Sequence, residues 1–133
     1  MLRSGRQKVL IVDDEPDICH IFGRILVGRN LRAEYAHNLA EANSSLLEDP
    51  AALILLDNNL PDGSGLEWIP YLKAHYPETQ VILVTAHDEP ADREIALQMG
   101  ADDFWGKPLS LELINQTLDS LTERYLSERF PGL

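Results

Sequence analysis

The feature that most constrains how this chain folds is an alternation of short apolar runs with longer stretches of helical period. The runs are Val9 to Val12, Leu31 to Ala36, Ala52 to Leu56, Val81 to Val84, and a short one at Phe104 and Trp105. Most are nearly continuous, as in strands covered on both faces, while the second turns Arg32 and Glu34 outward. Between the runs, Ile18, Ile21, Phe22, Ile25 and Leu26 form one helical stripe, and Ile114, Leu118, Leu121 and Tyr125 form another. Asn38 and Ser110 stand where helix N-caps are wanted, Gly65 opens the segment Leu66 to Ala74, and Gly100 closes a later one. Strand-helix units in this order predict an α/β fold with a doubly wound parallel sheet, because each parallel connection needs a crossover that a helix supplies.

In such sheets ligands bind outside the carboxyl ends of the strands, so the residues following each run are the candidates for function. After the first run come Asp13, Asp14 and Glu15; after the third, Asp57; after the fourth, Thr85; after the fifth, Lys107. The second, ending near His37, contributes nothing to this set. Three aspartates in one crevice repel unless a cation neutralises them, and an all-oxygen cluster suits Mg²⁺ or Mn²⁺ rather than zinc. Asp13, Asp14 and Asp57 are therefore the expected metal site. A hydroxyl from Thr85 and an ammonium from Lys107 aimed at the same place complete a cradle for a phosphoryl group. An aspartate is ionised at neutral pH and attacks phosphorus without a base to activate it, which makes Asp57, at the end of a rigid strand, the expected nucleophile.

Charge and length narrow the function classes. The chain has 133 residues, enough for one domain with a real core, and a formal net charge of -11 argues against direct binding to nucleic acid or an anionic membrane. Cys19 is the sole cysteine, so no intramolecular disulfide forms, and the expected setting is reducing and cytoplasmic. The basic start, MLRSGRQK, has no apolar core behind it and reads as a loose leader over residues 1–7. Residues 128–133, breaking at Pro131 and Gly132, read as a tail or the start of a linker.

VLIVDDEPDI, LILLDNNLPDGSGLE, VILVTAHD and GADDFWGKP, in this order, resemble the receiver domain of two-component response regulators, over roughly Lys8 to Leu126, with a domain expected over residues 8–127. The resemblance implies a flavodoxin-like (βα)5 sheet of order 2-1-3-4-5 and phosphorylation of Asp57 by a histidine kinase or phosphotransfer protein, followed by slow self-catalysed hydrolysis. It implies that Asp14 binds Mg²⁺ directly, with Asp13 helping and the backbone carbonyl of Asn59 completing the protein ligands. It further implies a switch in which Thr85 moves toward the phosphoryl group and Phe104 rotates inward, changing the surface of the fourth helix, fifth strand and fifth helix. An output domain, a downstream protein or a second copy of the chain would read that surface. Lys107-Pro108 resembles the family's cis peptide bond.

Departures qualify the likeness. Asn58 is polar where the family usually has an apolar residue, and is read as facing solvent without a function. Phe104 replaces the commoner tyrosine, so its inward state rests on packing. The resemblance implies that the positions two after the nucleophile and two after the threonine tune the phosphorylated lifetime; here they are Asn59 and His87, and His87 is expected to make that lifetime pH-dependent. In isolation, Asp13, Asp14 and Glu15 before Pro16 fit helix capping as well as metal binding, and Asp62 fits a turn. A phosphatase of the haloacid dehalogenase type also uses a strand-end aspartate, but wants a second aspartate where this chain has Asn59. A nucleotide or flavin binder needs a phosphate loop after the first strand, which DDEPD is not. A degenerate receiver serving only as a binding module would not need the intact acid pair, Asp57, Thr85 and Lys107.

Overall fold

A computed structural model describes residues 7–29, 31–86 and 90–129. Its elements are β1 (Lys8–Val12), α1 (Pro16–Val27), β2 (Arg32–Ala36), α2 (Leu39–Glu48), β3 (Leu53–Asp57), β4 (Asn59–Leu60), β5 (Gly63–Ser64), α3 (Gly65–His75), β6 (Gln80–Thr85), α4 (Pro90–Gln98), β7 (Asp103–Gly106) and α5 (Leu111–Arg129). Five strands pair in parallel in the order β2-β1-β3-β6-β7. This is the expected 2-1-3-4-5 order once the small antiparallel hairpin β4-β5 is set aside. That hairpin lies within the LPDG turn, where no strand was expected.

The pleat sends alternate side chains to two cores. Leu10, Val12, Ile54, Leu56, Val81, Leu83 and Phe104 meet α2, α3 and α4 on one face. Val9, Ile11, Leu53, Leu55, Ile82, Val84 and Trp105 meet α1 and α5 on the other. Ile114, Leu118 and Leu121 bury the expected stripe of α5; the Tyr125 side chain lies outside the described residues. Ile21 departs from the expected stripe of α1: it is 43% exposed, because Phe22 and Leu26 define the buried line and Ile21 falls on its solvent margin.

The caps follow the sequence. The Asn38 side chain accepts from Glu41 N at 2.7 Å, and the Ser110 hydroxyl accepts from Leu113 N at 3.2 Å. Gly100 follows α4 with φ +113°, a conformation that favours glycine. Lys8 opens β1 although charged, because its ammonium donates to the carbonyls of Ser45 and Asp49 at 2.8 and 2.7 Å, at the negative end of α2. No described helix is long and apolar enough to cross a membrane.

Candidate phosphoacceptor site

Strand ends deliver the three expected aspartates and Lys107 to one crevice. Asp57 is the last residue of β3, paired in register with Val84, and Asp13 follows β1 with its N–H donating to Ala36 O at 3.0 Å. Asp13 and Asp57 are buried while Asp14 is exposed. One oxygen from each of the three carboxylates lies within 4.8 Å of the others. Lys107, just past β7, reaches back into this group: its Nζ is 3.2 Å from Asp13 Oδ2, 3.2 Å from Glu15 Oε1 and 3.7 Å from Asp57 Oδ2. The Lys107-Pro108 bond is cis, as the resemblance implied. Thr85 ends β6 and is buried, with its carbonyl accepting from Lys107 N at 2.8 Å.

Electrostatics follow from this crowding. Burial, and next the charge of Asp13, push the Asp57 carboxyl up to about 6 against the pull of Lys107. Burial lowers Lys107, but the charges of Asp13 and Asp57 outweigh it and leave the ammonium raised. Two buried carboxylates and a third at the rim thus face one ammonium. The donors are all hard oxygens, and the excess negative charge is what a divalent cation would neutralise, so the residues fit Mg²⁺ or Mn²⁺. Asn59 opens the hairpin beside Asp57, its N–H 3.4 Å from Asp57 Oδ1. His87 lies outside the described residues.

Phe104 is buried on the α4 side and, with Asn58, Leu66, Leu83, Thr85 and Ile95, lines a half-open cleft of about 400 Å³. Arg93 of α4 donates to the Phe104 carbonyl at 3.1 Å and to Asp103 at 3.3 Å, so α4 is fastened to β7 at the expected switch residue.

Three residues do more than the sequence suggested. Asn58 does not simply face solvent. Its side-chain oxygen accepts from Ser64 Oγ and Leu66 N, each at 3.0 Å, its N–H donates to Val84 O at 3.1 Å, and its carbonyl accepts from Gly65 N at 2.9 Å. A polar residue at that place is explained by its work as the clasp that holds the hairpin and the start of α3 against β3. The approach is so close that a Cβ on Gly65 would lie 2.3 Å from Asp57 O. The His37 Nδ1 lies 3.4 Å from the Asp13 backbone carbonyl, beside the carboxylate cluster and not part of it. Glu15 stands at the N-cap of α1 but makes no side-chain cap, and instead pairs with Lys107. Asp62 is exposed, lies outside the carboxylate cluster, and accepts from Leu39 N and Ala40 N at 2.8 and 3.0 Å, which ties the turn to α2. An asparagine after a strand and before a Ser-Gly helix start was the available signal for the clasp; nothing local announces a pairing between positions 15 and 107.

A family model described as the response regulator receiver domain matches residues 9–119. The response regulator protein PilR of Pseudomonas aeruginosa is 42% identical over 107 residues, covering 80% of this chain and 24% of that protein. The transcriptional regulatory protein GltR of Pseudomonas aeruginosa is 31% identical over 126 residues, covering 93% of this chain and 52% of that protein. The chain thus spans about a quarter to half the length of these relatives. Among solved structures, the beryllofluoride-activated NtrC4 receiver domain dimer superposes with a TM-score of 0.81 at 33% identity, over 89% of this chain and 98% of that one. A two-component response regulator from Clostridium difficile gives 0.83 at 26% identity, over 90% and 98%.

Proposed function

The chain belongs to the response regulator receiver domain family, and from that premise we propose that it is a phosphoacceptor switch whose nucleophile is Asp57. The observation that carries this reading is the meeting of Asp13, Asp14 and Asp57 within 4.8 Å, with the Lys107 ammonium against two of them. In the proposed reaction an Asp57 carboxylate oxygen attacks the phosphorus of a phosphohistidine on a histidine kinase or phosphotransfer protein. The P–N bond breaks as the P–O bond forms, and the histidine leaves with its electron pair. Asp14 and Asp57, helped by Asp13 and the Asn59 carbonyl, would hold Mg²⁺, which when bound supplies charge neutralisation to the transferring phosphoryl oxygens. Lys107 and the Thr85 hydroxyl contribute a point charge and a hydrogen bond to the same oxygens. Loss of the group is the reverse in kind: water attacks phosphorus, and Asp57 leaves as the carboxylate.

The signal is proposed to travel by a two-state change in which Thr85 turns toward the phosphoryl group and Phe104 packs behind it. Arg93 and the cleft beside Phe104 supply the physical link to α4. The α4-β7-α5 face would be read by an output domain, a downstream protein or a second copy of the chain. Direct contact with DNA is not assigned to these residues, whose net charge is -11, whatever the transcriptional regulators among the relatives do with the rest of their length.

Incubation with acetyl phosphate and Mg²⁺, followed by intact mass, tests the reading. One added phosphoryl group is expected in the wild type, and none in Asp57→Asn or in excess EDTA. An adduct that survives both controls contradicts it.

A further inference from the structure

Resting on the phosphoacceptor reading, a positioning role falls to a residue outside the expected site. Glu15 occupies the N-cap of α1, where a side chain usually accepts from the first turn, yet it makes no such bond. Its Oε1 lies instead 3.2 Å from Lys107 Nζ, while its own N–H donates to Asp13 Oδ1 at 2.8 Å, fixing where its side chain starts. Lys107 is thereby shared among three carboxylates, and Asp57, at 3.7 Å, is the most distant of them. A cation held by the aspartates would compete for the charge of Asp13, leaving Glu15 as the carboxylate that still draws the ammonium outward.

We propose that Glu15 is a resting-state counter-ion for Lys107: it holds the ammonium at the rim of the crevice and must release it before Lys107 can bind the phosphoryl group on Asp57. Glu15 is not one of the three carboxylates of the expected metal site, and its side chain pairs with Lys107, through which it would act. Because its carboxylate is 59% exposed, the pairing is weak and easily exchanged, as a latch needs to be.

The test is a titration of the full chain with beryllofluoride at saturating Mg²⁺, read by the ¹⁹F signal of the bound group, in the wild type, Glu15→Gln, Lys107→Met and the double variant. Glu15→Gln keeps the size of the side chain and is expected to bind beryllofluoride about two- to fivefold more tightly than wild type, the scale of an exposed ion pair. In the Lys107→Met background the same substitution is expected to change nothing. Equal affinity of Glu15→Gln and wild type overturns the proposal. So does an equal gain with and without Lys107, which would mean that Glu15 acts only through its field on the anion. A folded wild type that binds no beryllofluoride overturns the phosphoacceptor reading itself, and this inference with it.

Discussion

At the scale of the residue, Asp57 is held where burial and the neighbouring Asp13 make its charge unwelcome. Its carboxyl stands at about 6 in the folded chain against 3.8 in the unfolded one, through burial first and Asp13 second. The folded state therefore binds the proton more tightly between those values, and the stability this contributes is present below 3.8 and lost as pH rises through 6. Removing the charge should remove the penalty. In EDTA, Asp57→Asn is expected to be more stable than wild type at about pH 7.5 by about 1–3 kcal/mol, with the advantage gone near pH 4. Thermal unfolding across that range measures it, and an Asp57→Asn chain less stable than wild type at neutral pH contradicts the assignment. Mg²⁺ should raise the wild-type midpoint, since a ligand that binds only the folded state stabilises it. It should raise that of Asp57→Asn less, one carboxylate ligand being gone.

At the scale of the element, the end of β3 and the start of α3 are one unit. Asn58→Ala removes the acceptor for Leu66 N and the Ser64 hydroxyl, and is expected to cost about 1–3 kcal/mol in denaturant unfolding. An unchanged midpoint would show that water replaces the clasp without loss. The sheet strands were legible to within a residue or two because apolar runs bounded by acids and turns leave little choice. Lys8 lay outside the first run because the groups that make its burial tolerable, the carbonyls of Ser45 and Asp49 and the carboxylate of Glu34, lie far along the chain. The hairpin β4-β5 was not legible: two-residue strands have no period, and LPDG reads as a turn with or without them. The gathering of Asp13, Asp14, Asp57 and Lys107 was legible because strand ends in a parallel sheet share one edge; the partners of Asn58 and Glu15 were not, since loop geometry fixes them.

At the scale of the whole molecule, the sheet sets the acidic crevice apart from the face proposed to be read by partners. The crevice lies at the strand ends, while β7 shows Phe104 to the α2-α3-α4 layer and Trp105 to the α1-α5 layer. Asp103 joins the two, taking Arg93 on one oxygen and the Trp105 indole N–H on the other at 3.2 Å. Beside it α4 leaves Ile95 and Leu97 exposed, and α5 leaves Leu111 and Leu113 exposed. Beryllofluoride with Mg²⁺ is accordingly expected to shift the chain toward a dimer in sedimentation velocity, and Leu97→Glu to return it to the monomer. A dimer indifferent to that substitution would place the contact elsewhere. The central claim, that Asp57 itself carries the phosphoryl group, is tested most directly by trapping. The chain is phosphorylated with acetyl phosphate and Mg²⁺, reduced with borohydride, digested and sequenced by mass spectrometry. The account predicts homoserine at position 57 and nowhere else; homoserine at position 13 or 14, with position 57 unaltered, would contradict it.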